Sequence, residues 1–276
     1  MIVDGVRIAE AVERRLVATE GARAMPLRLA ILTCAPNVAT QKFLALKRAR
    51  ALSLGVALEV ITCPEESTTD AARAQVAAAC DISDGVIIQL PFPQHIDVAA
   101  LLAVLPASHD VDAIGSEAER LLAENKPIVL PPVVGAIAAI AEAHDISFTG
   151  KRVVVVGEGR LVGKPAATWC RHQGAEVVVV TKATTDLSAH TRTADMLILG
   201  AGVPGLVTPE MIRDGVLIFD AGTSEDAGKL VGDADPACAE KAALFTPVPG
   251  GIGPITISMI FHNLDILAVQ TYPLVA

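Results

Sequence analysis

Short β-branched runs recur along this chain, at residues 29–33, 56–62, 85–90, 152–156, 176–180, 196–199 and 216–220. Several of them lack the apolar–polar alternation of a strand with one wet face. Runs that are apolar on both sides belong in parallel sheets covered on both faces. Alanine-rich helical pattern fills the intervals, near 39–54, 69–79, 98–105, 163–173 and 209–212. Strand–helix alternation of this kind predicts an α/β fold with parallel sheets and right-handed crossovers.

The pattern breaks between Asp112 and Pro132, where SEAERLLAENKPIVLPP is polar and then proline-stiffened. Three strand–helix units precede the break and a fresh series starts at Lys151. A length of 276 residues suits one or two domains. The expected division is 1–117, completed by 254–276, and 118–253. The last helical stretch, 255–269, is expected to pack back onto the first domain.

A composition of 52% hydrophobic and 19% charged residues excludes a disordered chain. The longest apolar candidate for a membrane span, 128–143, contains Pro131, Pro132 and Gly135 and ends beside Glu142. A spanning helix wants about 20 mostly apolar residues, so a soluble chain is expected, with no membrane partner. The net charge of −9 argues against a nucleic-acid partner. Asp4, Arg7 and Glu10 interrupt the N-terminal segment where a secretory signal would be apolar. The five cysteines form no CxxC pair. Neither zinc nor a disulfide framework is indicated, and a reduced, cytoplasmic protein is expected.

The second half opens with Val153-Val154-Val155-Val156-Gly157-Glu158-Gly159-Arg160-Leu161-Val162-Gly163-Lys164-Pro165. This is an apolar strand, a glycine turn and a helix opening. Glycine lets the backbone approach a pyrophosphate, and the helix N-terminus presents free N–H groups to it. The glycine spacing is one residue longer than GxGxxG. The next strand ends in Thr181-Lys182-Ala183-Thr184-Thr185. An NAD enzyme typically places an acidic residue there for the ribose hydroxyls. Its absence favours NADP over NAD, and Lys182 is suited to a 2′-phosphate, although a lone lysine is as easily a solvated surface group.

In the first half, Phe43 and Lys47 share a helix face. Lys47 sits amid Leu44, Leu46 and Ala51, where lost solvation would lower its pKa from about 10.4 towards the acid–base range. On helical pattern alone, a lysine snorkelling from the edge of the stripe is the commoner arrangement. Gln89 closes an apolar strand, at the end where open α/β sheets bind ligands. A buried glutamine needs a hydrogen-bond partner or a ligand. His109-Asp110-Val111-Asp112 offers too few oxygen ligands for a hard cation, so no metal is expected. A single aspartate facing a polar heterocycle fits it better. Finally, TPVPGGIGP at 246–254 packs three prolines and three glycines into nine residues before a helix. A rigid loop that cups a flat ligand wants both residue types.

Together these segments resemble the methylenetetrahydrofolate dehydrogenase/methenyltetrahydrofolate cyclohydrolase family, over nearly the whole chain. The most specific pieces are Gln89-Leu90-Pro91-x-Pro93, Asp110-Val111-Asp112, Gly163-x-Pro165, Gly232-Asp233 and residues 246–254. The resemblance implies two domains, for folate and nicotinamide, with a cleft between them, and a homodimer through the nucleotide domain. It implies NADP-dependent oxidation of a tetrahydrofolate one-carbon substrate, 5,10-methylenetetrahydrofolate, followed by hydrolysis of the methenyl product to 10-formyltetrahydrofolate. It makes Lys47 the catalytic lysine, Gln89 its orienting partner and Asp112 the carboxylate that holds the pterin edge. It adds Phe43, Leu90, Pro91, Pro249, Gly250 and Gly251 to the substrate site. Gly157, Gly159, Arg160, Val162, Gly163, Lys164, Pro165, Thr181, Lys182, Gly202 and Pro204 are implied for the cofactor.

The chain departs from the family pattern at several of these places. Phe43 stands where a tyrosine is usual, Gly159 replaces a serine, and Pro131-Pro132 takes the place of a Thr-Pro pair. Ala113-Ile114-Gly115 follows Asp112 where glycine and an aromatic residue or histidine are usual. These departures leave two other readings: a divergent paralogue with dehydrogenase activity only or a modified folate substrate, and a non-catalytic cofactor-binding homologue.

Overall fold

The structure, a computed structural model, describes residues 1–20, 25–226 and 228–271. The elements of the first half are α1 (Gly5–Glu20), β1 (Arg28–Cys34), α2 (Val38–Ser53), β2 (Ala57–Cys63), α3 (Thr69–Ile82), β3 (Gly85–Ile88), α4 (Val98–Val104) and α5 (Ser116–Ala123). Then follow α6 (Pro132–Ala143), β4 (Arg152–Val156), α7 (Gly163–His172), β5 (Glu176–Val180), α8 (Leu187–Thr191) and β6 (Met196–Leu199). The chain continues through β7 (Leu217–Asp220), β8 (Ser224–Asp226), β9 (Lys229–Val231), β10 (Leu244–Phe245) and α9 (Ile252–Thr271).

The chain separates into two compact units. One comprises residues 11–132 and 257–276, the other 1–10 and 133–256. The first holds a three-stranded parallel sheet in the order β2-β1-β3. Both faces of β1 are covered, as its unbroken apolar run requires. Leu29 and Ile31 pack with Leu44 and Ala51 of α2 and with Ile260, Phe261, Leu264 and Leu267 of α9. Ala30, Leu32 and Cys34 pack on the opposite face with Ala72, Val76 and Ala79 of α3 and with Leu101 and Leu102 of α4.

The second unit holds a five-stranded sheet in the order β10-β7-β6-β4-β5, parallel throughout. The strand order reverses at β4, which puts a topological switch point between β4 and β6. The first sheet reverses in the same way at β1. The C-terminal ends of β1 and β3, and of β4 and β6, are therefore where ligands of open α/β sheets bind.

The observed division differs from the expected one. Residue 117 falls inside α5, whose Ala118 belongs to the core of the first unit. The first ten residues join the second unit, because the Val3 N–H donates to the Phe245 carbonyl and Ile2 bridges Phe245 in parallel. The polar break at 112–132 holds α5 rather than a bare linker. The helix expected at 209–212 is a single 3₁₀ turn.

The apolar stretch at 128–143 supplies α6, of 12 residues. Among the described residues, α9 is the helix long and apolar enough to cross a membrane, over 252–269, and 56% of that window is buried in the protein.

Candidate active site

Helix α2 is started by Asn37, whose side chain accepts the Thr40 N–H at 2.8 Å. From that start Leu44, Lys47 and Ala51 fall on one buried stripe, with Lys47 only 8% exposed. Gln89 follows the last residue of β3, and its N–H donates to the Leu32 carbonyl at 2.8 Å. That bond extends the sheet register and aims the glutamine side chain to the α2 face. Lys47 Nζ donates to Gln89 Oε1 at 2.7 Å. Gln89 Nε2 donates to the Leu90 carbonyl at 3.1 Å. The amide is thereby oriented with its oxygen towards the lysine.

Burial disfavours the ammonium and holds Lys47 below the ordinary lysine range, while the nearby Asp112 carboxylate opposes that shift. Asp112 is raised by burial and pulled back by Lys47. The two charges stabilise each other in a site that solvates neither well.

Asp112 is placed by the turn around it. Asp110 bridges Val86 beside β3, and Asp110 Oδ2 accepts the Gly115 N–H at 2.6 Å. Ala113 takes a left-handed conformation, φ +50°, a position glycine fills at lower cost. From α9, Asn263 Nδ2 donates at 2.8 Å to the carbonyls of both Val111 and Leu130. Of the other residues expected at the substrate, Leu90 is half-buried and joined to an exposed Pro91 by a cis peptide. Phe43 is 42% exposed, on the same helix as Lys47.

In the second unit the glycine turn is built by contact. Gly157 has φ +99°, and a Cβ on it would lie 2.6 Å from the Gly200 carbonyl oxygen at the end of β6. A Cβ on Gly163 would fall on the Gly157 carbonyl. Gly159 meets nothing within 4 Å, so a serine there would be accommodated. The first turn of α7 has no side-chain cap, its N-cap being Val162. Lys164 is exposed and Pro165 buried in that turn. An uncapped helix start behind a close-packed glycine turn fits a pyrophosphate. Arg160 and Lys182 are exposed near the ends of β4 and β5. Thr181 is drawn into its own turn: its N–H donates to Thr184 Oγ1 and its hydroxyl accepts the Ala183 N–H.

Two buried aspartates in this unit carry more than the sequence reading gave them. Asp233 accepts the N–H groups of Ala201, Gly202 and Val203 at 2.6–3.1 Å. The Gly202 N–H is therefore not available to a cofactor, while Pro204 just beyond is exposed. Asp220 accepts the N–H groups of Gly222, Asp233 and Ala234, and burial lifts its carboxyl to about 6 against those bonds. The Gly232-Asp233 pair pointed at this arrangement without showing which amides it gathers.

The glycine–proline loop at 246–251 is held by the start of the chain. Gly5 N–H donates to the Gly250 carbonyl at 2.9 Å, and Gly251 N–H to the Pro247 carbonyl at 2.7 Å. Val248–Pro249 is cis, Pro249 is exposed and Gly250 has φ +104°. The structure thus brings Lys47, Gln89 and Asp112 together in one unit. It places Pro249, Gly250 and Gly251 with the glycine turn in the other.

Residues 3–112 match the family model for the tetrahydrofolate dehydrogenase/cyclohydrolase catalytic domain, and residues 131–271 match the model for its NAD(P)-binding domain. The chain belongs to this family. The curated protein named Bifunctional protein FolD from Dechloromonas aromatica is 34% identical over 272 residues, 95% of each chain. Its namesake from Exiguobacterium sibiricum is 32% identical over 269 residues, covering 95% of this chain and 97% of that one. Among solved structures, the bifunctional methylenetetrahydrofolate dehydrogenase/cyclohydrolase from Campylobacter jejuni superposes with a TM-score of 0.91 at 30% identity, covering 98% of this chain and 99% of that one. The Trypanosoma brucei enzyme, solved with NADP and an inhibitor, gives 0.92 at 30% identity, covering 99% and 98%.

Proposed function

We propose that Lys47 is the acid–base group of the active site and that NADP, rather than NAD, is the cofactor. The chain oxidises 5,10-methylenetetrahydrofolate to the methenyl form and hydrolyses that to 10-formyltetrahydrofolate, the two activities of its family. The observation that carries the lysine's role is the buried Lys47–Gln89 hydrogen bond beside Asp112. In the hydrolysis, water adds to the methenyl carbon and the bond to N5 breaks. Of the two protons that water gives up, one ends on N5 and the other leaves to solvent. Burial leaves more of the lysine as the free amine, which can take a proton from water and give it back as the ammonium. Gln89 holds the amine in place through both states, and Asp112 limits how far burial can lower its pKa.

The glycine turn at 157–163 and the uncapped start of α7 are the groups that would hold the dinucleotide pyrophosphate. The bound cofactor would supply the hydride acceptor for the oxidation. The preference for NADP rests on the end of β5, where Thr181 and Lys182 stand in place of an acidic residue. A homodimer through the nucleotide unit, in the cytoplasm, is the matching assembly and location. The support for these is the resemblance and the five free cysteines.

Purified protein given 5,10-methylenetetrahydrofolate with NADP, and separately with NAD, tests this reading. Methenyl formation that is faster with NADP, followed by decay faster than in buffer, is expected. Decay at the buffer rate would refute the hydrolytic half. Faster formation with NAD would refute the cofactor assignment.

A further inference from the structure

Thr33 is the penultimate residue of β1, on the face covered by α2. Leu29 and Ile31 lie on that face and Ala30 and Leu32 on the other, so period-two alternation turns Thr33 towards α2. The β1–β3 register pairs Ile31 with Ile87 and Leu32 with Ile88. Continued by one residue, it sets Gln89 beside Thr33 on strands about 4.8 Å apart. Thr33 therefore flanks the Lys47–Gln89 pair. It is wholly buried, and its hydroxyl has no hydrogen-bond partner. A buried hydroxyl left unpaired is costly, and valine would fill the same volume without that cost. The neighbouring hydroxyl of Thr40 is engaged by Asn37 Oδ1 at 3.0 Å, and Phe43 has none to offer.

We propose that Thr33 is a positioning residue for Lys47, its buried hydroxyl oxygen being a second electronegative group beside the Lys47 ammonium after Gln89 Oε1. The arrangement holds the amine against β1 as well as β3, and it favours the charged form that Gln89 also favours. Asp112 is the charged group that bears on Lys47. On the helices packed against this face, Glu13 is bound to Arg50 and Ser258, and His262 responds to Asp265 and Arg15. The inference rests on the acid–base reading of Lys47.

The test is the pH–rate profile of methenyltetrahydrofolate hydrolysis for wild type, Lys47→Met, Thr33→Val and Thr33→Ser. Lys47→Met should abolish the limb set by the lysine. Thr33→Val should slow hydrolysis about tenfold and move that limb about one pH unit down, since losing an acceptor disfavours the ammonium. Thr33→Ser should restore both, and an undiminished melting temperature for Thr33→Val shows that the effect is not unfolding. A limb that disappears in Lys47→Met and stays in place in Thr33→Val overturns the role of Thr33 alone. A limb that survives in Lys47→Met overturns the lysine reading and this inference with it.

Discussion

Replacing Asp110 with asparagine should make the folate unit more stable, by an amount that grows with pH. Asp110 is 1% exposed, and burial lifts its carboxyl to about 7 although Gly115 donates an N–H to it. Its Oδ1 has no partner. The unfolded value is about 3.9. A raised folded pKa means that the fold prefers the neutral acid. The carboxyl's favourable contribution is complete below about pH 4 and is lost as pH rises through about 7.

Across that interval of about 3 units the loss reaches about 4 kcal/mol at pH 8, of which about 1.5 is already present at pH 5. Asparagine keeps an oxygen for the Gly115 N–H and does not ionise. The stability difference between Asp110→Asn and wild type should therefore rise by about 2.5 kcal/mol between pH 5 and pH 8. Burying the new NH₂ shifts both values equally and leaves this slope untouched. Urea titrations at the two pH values, with unfolding of this unit followed by hydrogen exchange of the β1 and β3 amides, measure it. A difference that does not change with pH would show that Asp110 titrates alike in the folded and unfolded chain, and would refute the argument.

Other outcomes follow from single contacts. Phe43→Tyr places a hydroxyl one helical turn before Lys47 and should raise the hydrolysis rate by up to about tenfold, the worth of a hydrogen bond to a charged group; an unchanged rate in a stopped-flow assay would count against a hydroxyl role. Gly163→Ala sets a Cβ against the Gly157 carbonyl, so the turn must open; the KM for NADP should rise at least about tenfold while hydrolysis of supplied methenyltetrahydrofolate holds within about threefold. Asn263→Leu leaves the Val111 and Leu130 carbonyls unpaired and should lower stability by about 2–4 kcal/mol in urea titration.

The sheets were legible because their strands are covered on both faces, and an unbroken run such as 153–156 leaves little else for a chain to do. Lys47 and Gln89 were individually visible, but only the fold supplies the register that brings a helix residue to a strand end. α1 escaped the periodicity because its buried stripe of Ala9, Glu13 and Leu16 includes an acid. Glu13 is tolerated there by bonds from Arg50 and Ser258, partners that lie far along the chain. The same distance in sequence hid Asp233, whose carboxylate gathers amides about thirty residues upstream. The compact units differ from the expected bounds because the chain crosses between units at both ends, and the first ten residues carry no compositional mark of the unit they join.

On the proposed mechanism, the buried Lys47 moves the proton in the hydrolytic step. The most direct test of this is the rate at which Lys47→Met hydrolyses methenyltetrahydrofolate, measured against wild type at saturating substrate. Methionine matches the lysine stem in length and carries no proton. A fall of about 10²–10⁴-fold is predicted, the usual worth of a positioned general acid–base. Hydrolysis at the wild-type rate would contradict the account.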